Sequence, residues 1–221
     1  MSTDRPHKSG SAAAVKKALA LLVLLTTAQL TSAATIEVKL TFERAAPPAV
    51  LAWMSEDTSW KPTSPTIVDQ KEQAFHPLIA VAPPGGAVQI TNSDTQQHNI
   101  FALDDERKID LDLGLGAPGS TLSLNVTWPA GGVVRHGCKI HPQMALWVAA
   151  LRSAYHATTE IPEGQLTATV RLEGVPDALT RVTLWAPRLE QSELIAGAPA
   201  ATSDLRRKGK VVGSVSVQRL P

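Results

Sequence analysis

Cys138-Lys139-Ile140-His141-Pro142-Gln143-Met144 holds the only cysteine of the chain and spaces a thiol, an imidazole and a thioether three residues apart. Soft sulfur together with imidazole is the donor set suited to copper cycling between two oxidation states, in a trigonal site of two His and one Cys with a weak axial Met. With 6 His and 3 Met among 221 residues, a randomly placed Cys would carry His at +3 and Met at +6 about once in 2,700 trials. A buried Cys acting as a small hydrophobe, beside a rim His and a core Met, leaves that coincidence unexplained. One more imidazole is needed. The candidate is His98, in Asn92-Ser93-Asp94-Thr95-Gln96-Gln97-His98-Asn99-Ile100-Phe101, a turn-rich stretch that runs into an apolar strand.

Outward from the loop, period-2 alternation dominates. Ile36, Val38, Leu40 and Phe42 share one face; so do Leu122, Leu124, Val126 and Trp128, then Leu166, Ala168, Val170 and Leu172, then Val211, Val215 and Val217. Such spacing predicts half-buried strands. Between them lie Pro- and Gly-rich breaks, at Pro47-Pro48, Pro83 to Gly86, Gly114 to Gly119, Pro129 to Gly132 and Pro162 to Gly164, which fragment helices and suit strand ends. The expectation is an all-β Greek-key sandwich, with short helical turns only near Ala178 or Leu189 to Ile195.

The amino-terminal 33 residues read as a secretory signal peptide: basic Arg5, Lys8, Lys16 and Lys17, an apolar run from Ala18 to Leu25, then Thr31-Ser32-Ala33-Ala34. An uncleaved anchor competes, but Thr26, Thr27 and Gln29 interrupt the run well short of the about 20 residues a span needs. The mature chain is expected in the periplasm or outside the cell, where a lone thiol without a disulfide partner is a liability unless a metal occupies it. Four of the 21 basic and one of the 20 acidic groups fall in residues 1–33, leaving 17 and 19 and a net charge near −2. That balance gives no reason to expect nucleic acid as a partner.

His98-Asn99-Ile100 together with Cys138-x-x-His141-Pro142-x-Met144 resembles the plastocyanin/azurin family of blue copper proteins, the cupredoxins, and the gap before Met144 is similar to that of amicyanin. The run Gly85 to Asn92 resembles the family's strand into the first ligand, and Pro129-Ala130-Gly131 the turn that starts the ligand strand. The resemblance covers residues 68–150. It implies a cupredoxin sandwich holding one mononuclear type 1 copper between His98, Cys138 and His141, with Met144 axial, and single-electron exchange with redox partner proteins. Asn99 then either hydrogen-bonds the facing ligand loop or is a plain turn-exit residue, and Pro142 stiffens the loop so that reorganisation stays small. Two departures stand out. Residues 102–121 carry no family motif, and His136 replaces an aromatic often found two residues before the Cys; it shares face parity with Cys138, yet a rim position is the expectation.

The flanks, Ala46 to Trp53 and Thr158 to Leu189, resemble periplasmic proteins associated with methylamine utilisation, in which carboxypeptidase-regulatory-like β segments flank a plastocyanin-like core. Ala186 stands where those proteins commonly carry His. The implied organisation is a signal at 1–33, an N-terminal β segment at 34–67, a copper domain at 68–152 and a C-terminal β segment at 153–221 that packs with 34–67. A monomer that stays off the membrane after signal cleavage is expected.

Other chemistries fit less well. A binuclear copper centre needs a second Cys, structural zinc makes poor use of a thioether, and a hydrolytic triad from Cys138, His141 and Asp94 lacks an oxyanion-donor pattern. Asp104, Asp105, Glu106, Asp110 and Asp112 lack the spacing of a calcium loop and read as a solvated loop able to steer a basic partner. Arg206-Arg207-Lys208-Gly209-Lys210 reads as a solvated turn, with docking of an acidic partner as the alternative. Three functions remain open: a non-enzymatic electron carrier, a copper carrier or assembly factor without redox turnover, and a metal-free interaction module.

Overall fold

The computed structural model describes residues 33–197 and 199–221, so the expected signal peptide lies, apart from Ala33, outside the described residues. Among the described residues there are seventeen strands and no helix. In chain order they are β1 (Ala33–Phe42), β2 (Ala49–Met54), β3 (Thr66–Lys71), β4 (Ala74–His76), β5 (Ile79–Ala82) and β6 (Ala87–Asn92). Next come β7 (His98–Asp104), β8 (Ile109–Gly116), β9 (Thr121–Asn125), β10 (Val133–Gly137), β11 (Ala145–Ala150) and β12 (His156–Glu160). The last five are β13 (Thr167–Pro176), β14 (Arg181–Trp185), β15 (Ser192–Ile195), β16 (Ala201–Arg207) and β17 (Lys210–Leu220). This is the all-β class that the alternation predicts.

Four sheets result, with strand orders β13-β1-β17-β16, β12-β2-β14-β15, β5-β11-β10-β7-β8 and β4-β3-β6-β9. The first two enclose one core, in which Ile36, Val38 and Leu40 of β1 meet Val50 and Ala52 of β2, Leu184 of β14 and Val217 of β17. The last two enclose another, with Val88 and Ile90 of β6, Ile100 of β7, Leu124 of β9 and Leu146 and Val148 of β11.

A third apolar cluster joins the two sandwiches. Along β2 every residue is buried: Val50, Ala52 and Met54 enter the first core, whereas Ala49, Leu51 and Trp53 face the joint. β5 divides the same way, Ala80 and Ala82 inward to the second core and Ile79 and Val81 to the joint. A strand covered on both faces reads as an uninterrupted apolar run rather than as alternation, which is why Ala49–Met54 and Ile79–Ala82 show no polar residue. The second and third sheets therefore pack outer face to outer face and the molecule is a stack of four β layers.

Three local expectations need correction. Ser192–Ile195 is a strand paired with β14 through Val182↔Leu194, because tertiary pairing overrides the helix propensity of Leu and Glu. Leu166 and Val211 are exposed. Leu166 precedes β13, and Val211 lies before a register shift at Leu205/Arg206 that interrupts the alternation.

Candidate metal centre

His98 opens β7, and Cys138 directly follows β10, whose central place in its sheet, between β11 and β7, makes it a rigid mount. The Cys138–Met144 loop then turns the chain into β11. β7 runs antiparallel to β10 with Phe101 opposite Gly137, and that register brings the start of one strand to the end of the other. A Cβ at position 137 would stand 3.2 Å from the Phe101 ring, so glycine permits the close approach.

Three donor atoms meet there. His98 Nδ1 and His141 Nδ1 are 3.0 Å apart, and the Cys138 Sγ lies 4.0 Å from the first and 3.8 Å from the second. Bonds of about 2.0 Å to nitrogen and 2.3 Å to sulfur, set about 120° apart, would give edges of about 3.5 Å and 3.7 Å, so the triangle matches a trigonal N2S site to within about half an ångström. Among the described residues this is the one grouping of His, Cys and acidic side chains within metal-binding reach.

The partners of the far ring nitrogens leave the near ones able to bind a cation. His98 Nε2 lies 3.1 Å from Asp94 Oδ2, and a carboxylate can only accept, so Nε2 carries the proton. His141 Nε2 lies 3.2 Å from Gln96 Oε1 and likewise donates. In their neutral forms both rings therefore present bare Nδ1 lone pairs to each other and to the thiol. Two lone pairs at that separation repel unless a proton or a metal ion lies between them.

Surrounding groups hold the donors in place. Asp94 accepts the N–H groups of Gln73 and Thr95 at 2.9 Å each, and these bonds with that from His98 keep its carboxyl below the usual range. Buried Asn92 shapes the same turn by donating to the carbonyls of Gln96 and Gly116. The Asn99 N–H donates to Cys138 Sγ at 3.3 Å, which stabilises a thiolate. Its side chain accepts from the Lys139 N–H of the Cys138–Met144 loop at 3.4 Å and donates to Asp112 and to the Gly114 carbonyl. Of the two roles open to Asn99, the structure has the first, a tie between strand and loop. Asp112, which also meets Lys139 Nζ at 2.6 Å, has its pKa lowered to about 2 by these partners, Lys139 foremost. Asp112 and Gly114 of β8 thus supply the outer brace of the loop.

Met144 is buried in the same apolar cluster as Cys138, and its N–H donates to the His141 carbonyl at 3.0 Å. Pro142 is exposed beside His141, whose ring is half-buried. Asp94 and Gln96, the partners of the two imidazoles, carry no periodic signal; a carboxylate four residues before His98 in a turn-rich stretch is the one hint.

His136 is not on the rim. It is fully buried, with Nδ1 3.2 Å from the Val134 carbonyl, no partner for Nε2, and its ring 5.8 Å from that of Trp128. Its parity with Val134 and Cys138 in a central strand points it inward. Burial pushes its pKa down to about 4. The unfolded imidazole titrates near 6.5, so the fold excludes a proton that the unfolded chain binds. The linked stability is complete above about pH 6.5 and is lost as pH falls through about 4. At about 1.4 kcal/mol per unit, the loss reaches up to about 3 kcal/mol. Urea denaturation at pH 7 and pH 4 is expected to show it, with a smaller loss in His136→Phe; equal losses in the two proteins would assign the acid sensitivity elsewhere.

No family model matches the sequence, and no curated protein matches it. Several solved structures are similar to part of the chain. A reduced amicyanin carrying a single Trp-to-Tyr substitution is 18% identical over 49% of this chain and 99% of its own, with a TM-score of 0.36. A novel purple cupredoxin from Nitrosopumilus maritimus is 23% identical over 38% of this chain and 98% of its own, with a TM-score of 0.34. The copper-containing nitrite reductase NirK from Thermus scotoductus SA-01 is 20% identical over 41% of this chain, with a TM-score of 0.35; the match spans 23% of that reductase. In fold, part of this chain is similar to these copper proteins, amicyanin among them.

Proposed function

We propose that this protein is a periplasmic, non-enzymatic type 1 copper protein that passes single electrons between partner proteins. The observation that carries the reading is the convergence of two imidazole lone pairs and one thiol within 4.8 Å of one another, with both imidazoles oriented by acceptors on their far nitrogens. His98, Cys138 and His141 would hold the metal, and Met144, from the same loop, is the axial candidate. Copper bound there supplies a one-electron couple. The chain's own part is to keep the donors fixed in both states: β7 and β10 clamp from two sides, Asn99 ties strand to loop, and Pro142 restricts the backbone after His141. Among the described residues no helix is long and apolar enough to cross a membrane.

Titration with copper(II) tests the reading. One equivalent is expected to produce an intense visible thiolate-to-copper band that a mild reductant removes and an oxidant restores. Uptake without the band, together with fast transfer of the metal to an acceptor, would instead support the copper-carrier alternative; no uptake by the folded protein would leave an interaction module.

Asp94 sets a second expectation. Its carboxylate faces His98 Nε2 and adds negative charge one imidazole away from the metal position, which favours the higher oxidation state. Asp94→Asn keeps an acceptor but removes the charge. Loss of a group outside the ligands typically costs about 10- to 100-fold in metal affinity, and a tenfold loss confined to copper(II) raises a one-electron potential by about 59 mV. Redox titration of the variant is expected to show a rise of that order, and an unchanged or lower potential would remove Asp94 from any tuning role.

A further inference from the structure

We propose that the cleft between the two sandwiches, beside the ligand loop, docks an acidic segment of the partner protein. This deepens the function proposed above by naming the chemistry of the partner at that same site. The cleft has a volume of about 720 Å³. One wall is the outer face of β10 and β11, where Arg135 stands opposite Trp147 in register, continued by Pro142 and Gln143 of the ligand loop. The other wall belongs to the flanking sandwich and carries Trp185, Arg188 and Arg207. The indoles of Trp147 and Trp185 approach to 6.3 Å across the joint.

Charge identifies the occupant. Three arginines line the cleft and no Asp or Glu does. Arg107, Arg171, Arg181, Arg206 and Arg219 each have a carboxylate partner; among the described residues five arginines form no ion pair, Arg44, Arg135, Arg152, Arg188 and Arg207, and three of these five, Arg135, Arg188 and Arg207, line this one cleft. Guanidinium groups gathered in a concave, partly apolar site focus a positive potential, and their planar forks suit carboxylates bidentately. The half-buried indoles offer apolar faces to the methylenes of a bound glutamate. Position adds to the case: Pro142 follows His141 in sequence, so a segment in the cleft lies against the loop that would hold the metal. On the same sheet, the acidic hairpin Asp104–Asp112 belongs to β7 and β8, on the side away from β11, and repels a negative partner toward the cleft. Single-stranded nucleic acid also suits Arg and Trp, but a net charge near −2 for residues 34–221 and a cleft walled on two sides disfavour a long polyanion.

The test uses the purified protein, with any bound copper kept in its reduced, diamagnetic state, and a hexaglutamate peptide at low ionic strength. Saturable shifts are expected for the indole N–H resonances of Trp147 and Trp185 but not for that of Trp128, which is donated to the Gly132 carbonyl. Hexalysine is expected to leave them in place. Arg135→Gln, Arg188→Gln and Arg207→Gln combined are expected to weaken the peptide by at least about tenfold; all three side chains are exposed, so folding is not at risk. Oxidation of the copper(I) form by ferricyanide should slow in the same variant, while oxidation by a cationic cobalt complex should not. Shifts that map elsewhere, an unaffected triple variant, or tighter binding of a hexathymidylate than of hexaglutamate would each overturn the proposal. The peptide result stands independently of copper, so failure of the metal reading and failure of the docking reading are told apart.

Discussion

Cys138→Ser is expected to abolish the intense visible band of the copper(II) protein and to lower copper(II) affinity by more than about 100-fold, beyond the effect usual for a group outside the ligands. The band needs a sulfur-to-copper transition, and no other thiol exists in the chain, so no neighbour can take its place. The polypeptide should survive the change. Serine is slightly smaller, and its hydroxyl keeps an acceptor for the Asn99 N–H that now points to sulfur. It also gains a polar group in a buried site 2% exposed, at a cost of about 1–2 kcal/mol. Absorption spectra, a competition titration with a copper chelator and circular dichroism together read the outcome. A variant that keeps the band with unchanged intensity would place copper somewhere other than between His98, Cys138 and His141, and the functional proposal would go with it.

Much of this site is readable from sequence because three of the donors considered lie in one heptapeptide, where spacing alone sets their separation. His98 is different: its place where a turn-rich stretch runs into an apolar strand makes it the candidate, and the resemblance agrees, but its approach to the loop depends on the β7–β10 register, a long-range fact that no local pattern encodes. Asp94 and Gln96 are further from reach, since both act from a turn whose shape is set by Asn92 donating to two backbone carbonyls. His136 shows parity outweighing residue type: its alternation with Val134 points inward, while the polarity of histidine argues for the rim. The stacking of sheets is legible in retrospect from a missing pattern. Ala49–Met54 and Ile79–Ala82 do not alternate, and an apolar run too short for a helix marks a strand with both faces covered.

The largest expected loss of stability comes from a residue that no motif marks. Gly213 lies on β17 opposite Phe42 of β1 on one side and Leu205 of β16 on the other. A Cβ built there would come within 2.2 Å of the Thr41 carbonyl oxygen and 3.0 Å of the Phe42 Cα. Both are backbone atoms, so no rotamer change can make room. β1 itself is held between β13 and β17, and moving it would disturb Ile36, Val38 and Leu40, all essentially unexposed in the first core. Overpacking of this kind usually costs about 1–3 kcal/mol, and a collision with the backbone of a central strand belongs at or above the top of that range. Gly213→Ala is therefore expected to lose about 3–4 kcal/mol in urea denaturation, read as a lower midpoint with little change in slope. Ser214→Ala, whose side chain is exposed at the next position, is expected to change stability by less than about 0.5 kcal/mol. Because His98, Cys138 and His141 are mounted in a different sheet, the Gly213→Ala protein should still give the copper(II) band well below its midpoint. A loss under about 1 kcal/mol would mean that β1 and β17 can separate locally at low cost, and that the flanking sandwich is looser than its buried core implies.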